Sequence, residues 1–249
     1  MSIKLGVNID HVATLRQARG ESYPSLVDTA YAVLDAGAHQ ITIHLREDRR
    51  HIQDFDVPAI KLVTQKFGVP LNLEMGTNKD ILEIAYSVKP EWICLVPEKR
   101  EELTTEGGLN LYDSVVCKRT SEFCDLIKKN LPDTKISLFV EADLKVLEKA
   151  VAMNIDAVEI HTGEYAIAYL NQSDINHFLE QFTSAHTFVS QHNILFHAGH
   201  GLTDSSLLPL VEQGLFVEYN IGHWIICQSI FDGIKNVTKK LLGIIDKDQ

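Results

Sequence analysis

Residues 4–11 read Lys-Leu-Gly-Val-Asn-Ile-Asp-His, a short apolar run that ends in an amide, a carboxylic acid and an imidazole. The same pattern, an apolar run followed at once by polar residues, recurs seven more times along the chain. Strands that all carry acids, bases and cations at one end are typical of a β/α barrel with its active site at the C-terminal rim. The predicted strands are Lys4–Asn8, Gln40–His44, Pro70–Glu74, Glu91–Val96, Lys135–Val140, Ala157–His161, Ile194–Ala198 and Val217–Ile221.

Segments with helical periodicity separate these runs, which predicts strands and helices that alternate around a parallel sheet. A first helix is expected over 24–36, with Pro24 in its first turn. Asn78 and Asp143 are expected to cap two later helices. The apolar spacing near the end of the chain predicts one long helix from about Trp224 to Ile244.

Three connections are too long for a minimal barrel. Residues 9–23 are too long and too charged for a simple first connection, and residues 97–134 and 162–193 each have room for an additional element. The helix around Pro209 is expected to be short or to begin next to that residue. We therefore expect one domain over residues 1–249, a single-domain (β/α)8 TIM barrel with extra short helices.

Net charge and cysteine usage exclude some classes of function. A formal charge of −11 over 249 residues argues against a nucleic-acid partner, which needs a basic face. A few arginines and helix N-termini can still bind phosphate in an acidic protein. The four cysteines form no CxxC pair, and neither a signal peptide nor a membrane-spanning stretch is expected. These features predict a cytoplasmic protein with no nucleic-acid or membrane partner.

The end of the first strand offers groups that suit a polar, anionic ligand. Asn8, Asp10 and His11 follow one another within four positions. Further along, Arg19 can present a planar fork to a phosphate group. The spacing leaves one alternative open, a capped turn followed by a solvated basic helix.

The second, third and sixth strands end in groups suited to proton transfer. His44 can exchange a proton near neutral pH, and Arg46 lies on the same side of an extended chain. A carboxyl group at the end of a buried strand loses solvation, so the pKa of Glu74 or Glu159 can rise toward that of a general base. For Glu159 the alternative is a structural pairing with an arginine or histidine inside the barrel, and the charges at 48–50 are expected to pair with one another.

Glycines follow the seventh and eighth strands. Barrels often bind phosphate at these two loops, and Gly201 and Gly222 permit a close approach of the backbone. A catalytic metal ion is the alternative interpretation of the histidines near the rim. The residues that would hold it are His44, His161, His197 and His200.

Eight segments, in order from the first strand to the last, carry a family resemblance. They are GVNIDHVATLRQARG (6–20), ITIHLREDRRHI (41–52), LNLEM (71–75), LVPEKR (95–100), TTEGG (104–108), EIHTG (159–163), AGHGL (198–202) and NIGH (220–223). Together they closely resemble the pyridoxine 5′-phosphate synthase family, and the charged motif at 44–52 is the most specific of them.

The resemblance implies a (β/α)8 barrel that condenses 1-deoxy-D-xylulose 5-phosphate with 3-amino-2-oxopropyl phosphate. The products are pyridoxine 5′-phosphate, inorganic phosphate and water. It also implies a homo-octamer (a tetramer of dimers) with neither a metal ion nor an organic cofactor.

The resemblance assigns roles to residues by motif. His44 and Glu74 would accept protons, and His200 would donate one. Glu159 would stabilise a transition state. The aminoketone phosphate would be held by Asn8, Arg19, Gly201, Gly222 and His223, and the deoxyxylulose phosphate by Asp10, His11, Arg46, His51 and Thr104.

Two other functions stay open on the sequence alone. One is a metal-dependent barrel hydrolase or isomerase that uses the four histidines named above. The other is a barrel that binds a phosphorylated ligand without catalysis. Glu98 and Glu141, which also end predicted strands, receive no role in the reaction and are expected either to support the catalytic residues or to be structural.

Overall fold

Eight parallel strands close into a barrel in chain order, which confirms the predicted (β/α)8 fold. The computed structural model describes residues 2–98 and 107–246. Each strand agrees with its predicted bounds to within one residue at either end. The strands are β1 (Lys4–Asn8), β2 (Gln40–His44), β3 (Leu71–Met75), β4 (Trp92–Leu95), β5 (Lys135–Val140), β6 (Ala157–His161), β7 (Leu195–Gly199) and β8 (Glu218–Ile221).

Eleven helices lie within the described residues. They are α1 (Asp10–Arg19), α2 (Leu26–Asp35), α3 (Asp56–Phe67), α4 (Lys79–Val88), α5 (Ser114–Asn130), α6 (Leu144–Val151), α7 (Gly163–Leu170), α8 (Asn176–Ser190), α9 (Asp204–Gln213), α10 (His223–Asp232) and α11 (Ile234–Ile245). None of these helices has an apolar stretch long enough to cross a bilayer.

The added helices occur in two of the three long connections. Helix α1 occupies the connection after β1, and α7 precedes α8 in the connection after β6, as predicted. Between residues 107 and 134 the chain forms α5 and no further helix, so an extra element is not found in that described part.

Side-chain caps fix where several helices begin. Asn78 Oδ1 accepts from the backbone N–H of Asp80 and of Ile81, and Asp143 caps α6 in the same way, so both predicted caps are confirmed. The expectation that Pro24 lies in the first turn of a helix is wrong. Helix α2 begins after Ser25, because the Ser25 side chain accepts from a backbone N–H of the first turn.

Two helix predictions near the C-terminus are wrong. The single helix expected from about Trp224 to Ile244 is divided into α10 and α11 at Gly233, whose φ of 75° favours glycine. Helix α9 has 10 residues and contains Pro209 in its interior. It begins earlier than expected because Thr203 and Ser206 form a capping box, and the proline removes only one backbone donor.

Polar side chains occupy much of the barrel interior. Gln40 Nε2 donates to Glu218 Oε1 at 2.9 Å, and Thr42 Oγ1 donates to Asn220 Oδ1 at 3.2 Å. These bonds join β2 to β8 over the inner face of β1, which lies between them, so the side chains point into the barrel. The other faces of the strands are apolar and belong to the main core with the helices. The interior is therefore equipped to support charged groups at the rim above it.

Candidate active site

Asn8 joins two carboxyl groups at the C-terminal rim of the barrel. Its Nδ2 donates to Asp10 Oδ2 at 2.8 Å and to Glu74 Oε2 at 3.4 Å, and its Oδ1 accepts from the Asp10 N–H at 2.9 Å. Asp10 Oδ1 accepts from the backbone N–H of His44 at 2.9 Å, and the strand register pairs His44 with Glu74. Four predicted site residues therefore form one cluster at the ends of β1, β2 and β3.

Desolvation raises the pKa of both carboxyl groups in this cluster. Burial raises the pKa of Asp10 to about 6, although His44 and Asn8 act in the opposite direction. Burial, followed by the nearby charges of Glu159 and Asp10, raises the pKa of Glu74 well above its ordinary value. Asp10 can therefore change protonation within a range that general acid–base catalysis uses, and Glu74 holds a proton more tightly than a solvated carboxyl group does.

Glu159 is held inside the barrel just below the rim. Its Oε2 accepts from Asn220 Nδ2 at 2.8 Å, and the same Nδ2 donates to Glu218 Oε1 at 3.2 Å. Burial and the charge of Glu218 raise the pKa of Glu159 to about 8. Its hydrogen-bond partner is thus an amide, and not the arginine or histidine of the predicted alternative. Gly199 is required beside this carboxyl group, because a Cβ there would lie 2.0 Å from Glu159 Oε1.

A second group of rim residues surrounds His200. Its ring centroid lies 5.1 Å from that of His161 and 6.4 Å from that of Phe139. Desolvation, followed by the charges of His161 and His223, lowers the pKa of His200 to about 4. The residue also has a φ of 77°, a left-handed conformation that costs a non-glycine residue about 1–2 kcal/mol. Such strain is typical of functional positions.

The loop after β8 approaches the first strand closely, and Gly201 in the loop after β7 lies against Gly163 and Ala166 of α7. A Cβ on Gly222 would lie 2.8 Å from the Cβ of Asn8, and Gly201 has a φ of 77°. His223 begins α10 and contacts His11 edge-on, with 4.9 Å between their ring centroids. Helix α10 has no side-chain cap, so its first backbone N–H groups can bind an anion.

His51 is held at the rim by a buried ion pair. Arg16 and Asp56 make two hydrogen bonds of 2.7 Å each, and Arg16 Nη2 donates to the carbonyl oxygen of His51 at 3.3 Å. His51 Nδ1 accepts from the Ile52 N–H at 2.8 Å, so the proton of the neutral ring is on Nε2. Burial and the neighbouring histidines lower the pKa of His51 to about 3, so the ring is neutral at pH 7.

Arg46 is buried beside the charged motif that follows β2. Its Nε donates to Asp48 Oδ1 at 3.3 Å. Asp48 also pairs with Arg50 at 2.6 Å, as predicted, whereas Arg49 pairs with Asp54 at 2.6 Å, outside the predicted set. The charge of Arg46 also acts on His51 and contributes to the lowered pKa of that ring.

Arg19, His197 and Thr104 were also named from the sequence. Arg19 is exposed in the last turn of α1, about 13 Å along the helix from Asp10. His197 is buried inside the barrel, with its Nδ1 3.6 Å from Glu218 Oε1. Thr104 lies outside the described residues. The structure of one chain does not bring Arg19 to the rim, and its role stays a prediction.

Within the ranges 2–98 and 107–246, one group of side chains could hold a metal ion. Asp10, His44 and His51 have potential ligand atoms within 4.8 Å of one another. This group shares only His44 with the four histidines named from the sequence. Both Asp10 oxygens and one ring nitrogen of each histidine are already engaged in hydrogen bonds.

Several residues that support the site were not assigned a role from the sequence. Glu98 Oε1 lies 2.9 Å from His44 Nε2, and Glu141 Oε1 lies 2.9 Å from His161 Nδ1. Glu98 and Glu141 both follow predicted strands, and this position could have indicated that they support the site. Asn220 and the pair formed by Arg16 and Asp56 gave no such signal, since their role depends on partners 40 or more positions away.

Solved structures similar to this chain share its fold. A thiamine phosphate pyrophosphorylase from Pyrococcus furiosus has a TM-score of 0.61 at 14% identity, and the match covers 98% of this chain and 96% of that one. A phosphoribosyl anthranilate isomerase from Thermus thermophilus has a TM-score of 0.61 at 9% identity, with 99% and 100% covered. At these identities the likeness concerns the barrel alone.

Sequence relatives are far closer. A pyridoxine 5′-phosphate synthase of Coxiella burnetii is 42% identical over 248 residues, which is 98% of each chain. One of Magnetococcus marinus is 45% identical over 239 residues, 96% of this chain and 95% of that one. The family model described as pyridoxal phosphate biosynthesis protein PdxJ matches residues 5–247. The chain therefore belongs to the PdxJ family.

Proposed function

We propose that this protein is a pyridoxine 5′-phosphate synthase. It condenses 1-deoxy-D-xylulose 5-phosphate with 3-amino-2-oxopropyl phosphate and releases pyridoxine 5′-phosphate, inorganic phosphate and water. The curated relatives carry this name at about 40–45% identity over nearly the whole chain, which supports the proposal.

One structural observation carries the proposal: His44, Glu74 and Asp10 form a single cluster around Asn8 at the barrel rim. Imine formation, loss of phosphate and ring closure require proton transfers at several different atoms. A rim whose acid–base groups have pKa values that differ from one another suits such a sequence.

Each catalytic group is proposed to have a distinct task. Glu74 and His44 accept protons from carbon or nitrogen atoms of the reactants, and His200 donates a proton to a departing oxygen. Glu159, whose pKa is raised to about 8, is mainly protonated at neutral pH and can donate a hydrogen bond to a developing negative charge.

Two anion sites are proposed for the two phosphorylated substrates. One consists of Gly201, Gly222 and His223 at the N-terminus of α10, next to Asn8. The other lies in the loop after β2, where Arg46 and His51 are held beside Asp10 and His11. Thr104 and Arg19 belong to the proposal by family motif.

The proposal also covers the setting of the enzyme. It acts as one domain over residues 1–249, assembled as a homo-octamer in the cytoplasm, and it uses no metal ion or organic cofactor. Size-exclusion chromatography with light scattering measures the assembly directly.

The test is to incubate purified protein with both substrates and to follow pyridoxine 5′-phosphate by its absorbance and fluorescence. Omitting either substrate provides the control. Product is expected only with both present, and its absence at high enzyme concentration would overturn the proposal.

A metal-dependent hydrolase or isomerase is the second candidate, because Asp10, His44 and His51 lie within ligand distance of one another. It is not favoured, since Asn8, Glu98 and backbone groups already occupy donor atoms of this group. Prior treatment with a chelator separates the two functions: the synthase retains its rate, whereas a metal-dependent enzyme loses it and regains it with added zinc or manganese.

A further inference from the structure

We propose that Glu98 and Glu141 are positioning residues that fix the ring tautomers of His44 and His161. This leaves Nδ1 of His44 and Nε2 of His161 as the ring nitrogens that exchange protons with the reactants. The catalytic part of this inference rests on the proposed function, whereas the tautomers themselves do not.

The carboxylate of Glu98 binds the Nε2 nitrogen of His44. Its Oε1 lies 2.9 Å from His44 Nε2 and accepts from the Gly76 N–H at 3.0 Å, while its Oε2 accepts from the Glu47 N–H at 3.0 Å. Burial alone would raise the pKa of Glu98, but the hydrogen bond and charge of His44 and the two backbone N–H groups outweigh burial and lower it. An ionised carboxylate only accepts hydrogen bonds, so His44 Nε2 must carry a proton.

The carboxylate of Glu141 binds the Nδ1 nitrogen of His161, whereas Glu98 binds Nε2 of His44. Its Oε1 lies 2.9 Å from His161 Nδ1 and also accepts from the Gly108 N–H at 2.8 Å. Burial would raise the pKa of Glu141, but the bonds from His161 and Gly108 outweigh it, so the pKa lies below the ordinary value. The same reasoning puts the proton of neutral His161 on Nδ1. Free histidine favours the Nε2–H form, so this tautomer is diagnostic.

The free edge of His161 lies within the cluster around His200. A Cβ built on Gly163 would lie 2.5 Å from His161 Nε2 and 3.0 Å from His200 Cδ2, so both rings border the space above Gly163. No hydrogen bond to His161 Nε2 comes from residues 2–98 or 107–246. His161 can thus accept a proton next to His200, a role that neither the residue spacing nor the family motif assigned to it.

The pairs Glu98–His44 and Glu141–His161 are built in the same way. Glu98 follows β4, two strands after that of His44, and Glu141 follows β5, the strand before that of His161. Each carboxylate binds a ring nitrogen together with a backbone N–H of a rim loop. A purely structural role would need only the backbone bonds. The positioning role predicts a change in the ring that can be measured without any turnover.

The experiment records long-range ¹H–¹⁵N spectra of protein labelled with ¹⁵N-histidine, assigned with a His161→Gln variant. Wild-type His161 is expected in the Nδ1–H form at pH 8. In Glu141→Leu, which removes the acceptor from a half-exposed position, the ring is expected to revert to Nε2–H. In Glu141→Gln it should stay Nδ1–H, because the Gly108 N–H keeps a carbonyl oxygen at the same place.

Kinetics provide the second readout. Glu141→Leu is expected to lower kcat about 10- to 100-fold with KM changed less than about twofold, and Glu141→Gln to recover part of that loss. Glu98→Leu is expected to lower kcat in the same way. Glu122→Gln is the matched control, since Glu122 is exposed and, among the residues that the structure describes, pairs only with Lys118; it should retain parental values.

An Nε2–H ring in wild-type His161, or a tautomer unchanged in Glu141→Leu, would overturn the inference. So would a loss confined to KM or to stability. If wild-type protein forms no product but His161 shows the tautomers described, the proposed function fails and the positioning role of Glu141 stands.

Discussion

Replacing Glu159 with glutamine should make the protein more stable, and increasingly so as the pH rises. Glu159 is 3% exposed, with one hydrogen bond from Asn220 and with Glu218 close by. Burial and Glu218 raise its pKa from 4.5 to about 8 in the folded protein. The unfolded chain exposes the same group to water, where it loses its proton near pH 4.5.

The direction of the effect follows from proton binding. Between pH 4.5 and about 8, folded Glu159 holds a proton that the unfolded chain has released, so the free energy of unfolding falls as the pH rises. A displacement from 4.5 to about 8 corresponds to a loss of up to about 5 kcal/mol once the pH exceeds 8. This is a large share of the roughly 5–15 kcal/mol that stabilises a typical folded domain.

Glu159→Gln removes that loss while it keeps the shape of the side chain. Its carbonyl oxygen can accept from Asn220 Nδ2 in place of Oε2. Relative to wild type, we expect the free energy of unfolding to differ by less than about 1 kcal/mol at pH 5 and to be about 2–5 kcal/mol greater at pH 9. Product formation should fall in the same variant, since stability and activity oppose each other at strained sites.

Urea unfolding followed by circular dichroism at pH 5, 7 and 9 measures the difference, with the exposed Glu122→Gln as the control. A constant difference between Glu159→Gln and wild type across this range would refute the reasoning. A smaller stability of the variant at pH 9 would do so as well.

Three further outcomes follow from the same structure. Gly199→Ala should destabilise the fold by about 1–3 kcal/mol or displace the neighbouring carboxyl group, because its Cβ would lie 2.0 Å from an oxygen; urea unfolding and product assays report both effects. Asp56→Asn should cost about 3–5 kcal/mol by leaving the buried Arg16 without its anion, and a thermal shift equal to that of an exposed substitution would contradict this. Binding of a phosphorylated substrate at pH 5–6 should take up protons, because the phosphate favours the charged forms of His51 and His200. The pKa values of these two rings, about 3 and 4, keep them neutral without substrate. Calorimetry in buffers of different ionisation enthalpy measures the proton uptake, and its absence would count against phosphate binding next to these rings.

The strands could be predicted closely because their signal is local. An apolar run that ends in polar residues marks a buried strand and its exit, and all eight bounds agree to within one residue. The last helix was predicted less well, since periodicity alone does not show whether Gly233 will continue a helix or adopt a positive φ that ends it. The start of the helix around Pro209 was mispredicted for a related reason. The capping box at Thr203 and Ser206 stabilises the start of α9 by more than the missing backbone donor of Pro209 costs.

The residues of the candidate site could likewise be predicted only in part. His44, Glu74 and Asp10 could be named because strand ends of a closed barrel share one rim, and the structure brings them together. The partners of these groups depend on distances across the barrel, so the spacing did not reveal that Asn220 binds Glu159. Arg19 was named by family motif, and its exposed position in one chain follows from the length of α1.

If the rim cluster transfers protons during the proposed condensation, removing its carboxylate must slow the reaction without weakening substrate binding. The most direct measurement compares wild type with Glu74→Gln for both product formation and binding of each substrate. We expect kcat to fall about 10²- to 10⁴-fold, while both substrates bind within about twofold of the parental affinity. If Glu74→Gln forms product at the wild-type rate, Glu74 is not the proton acceptor and the account of this rim is wrong.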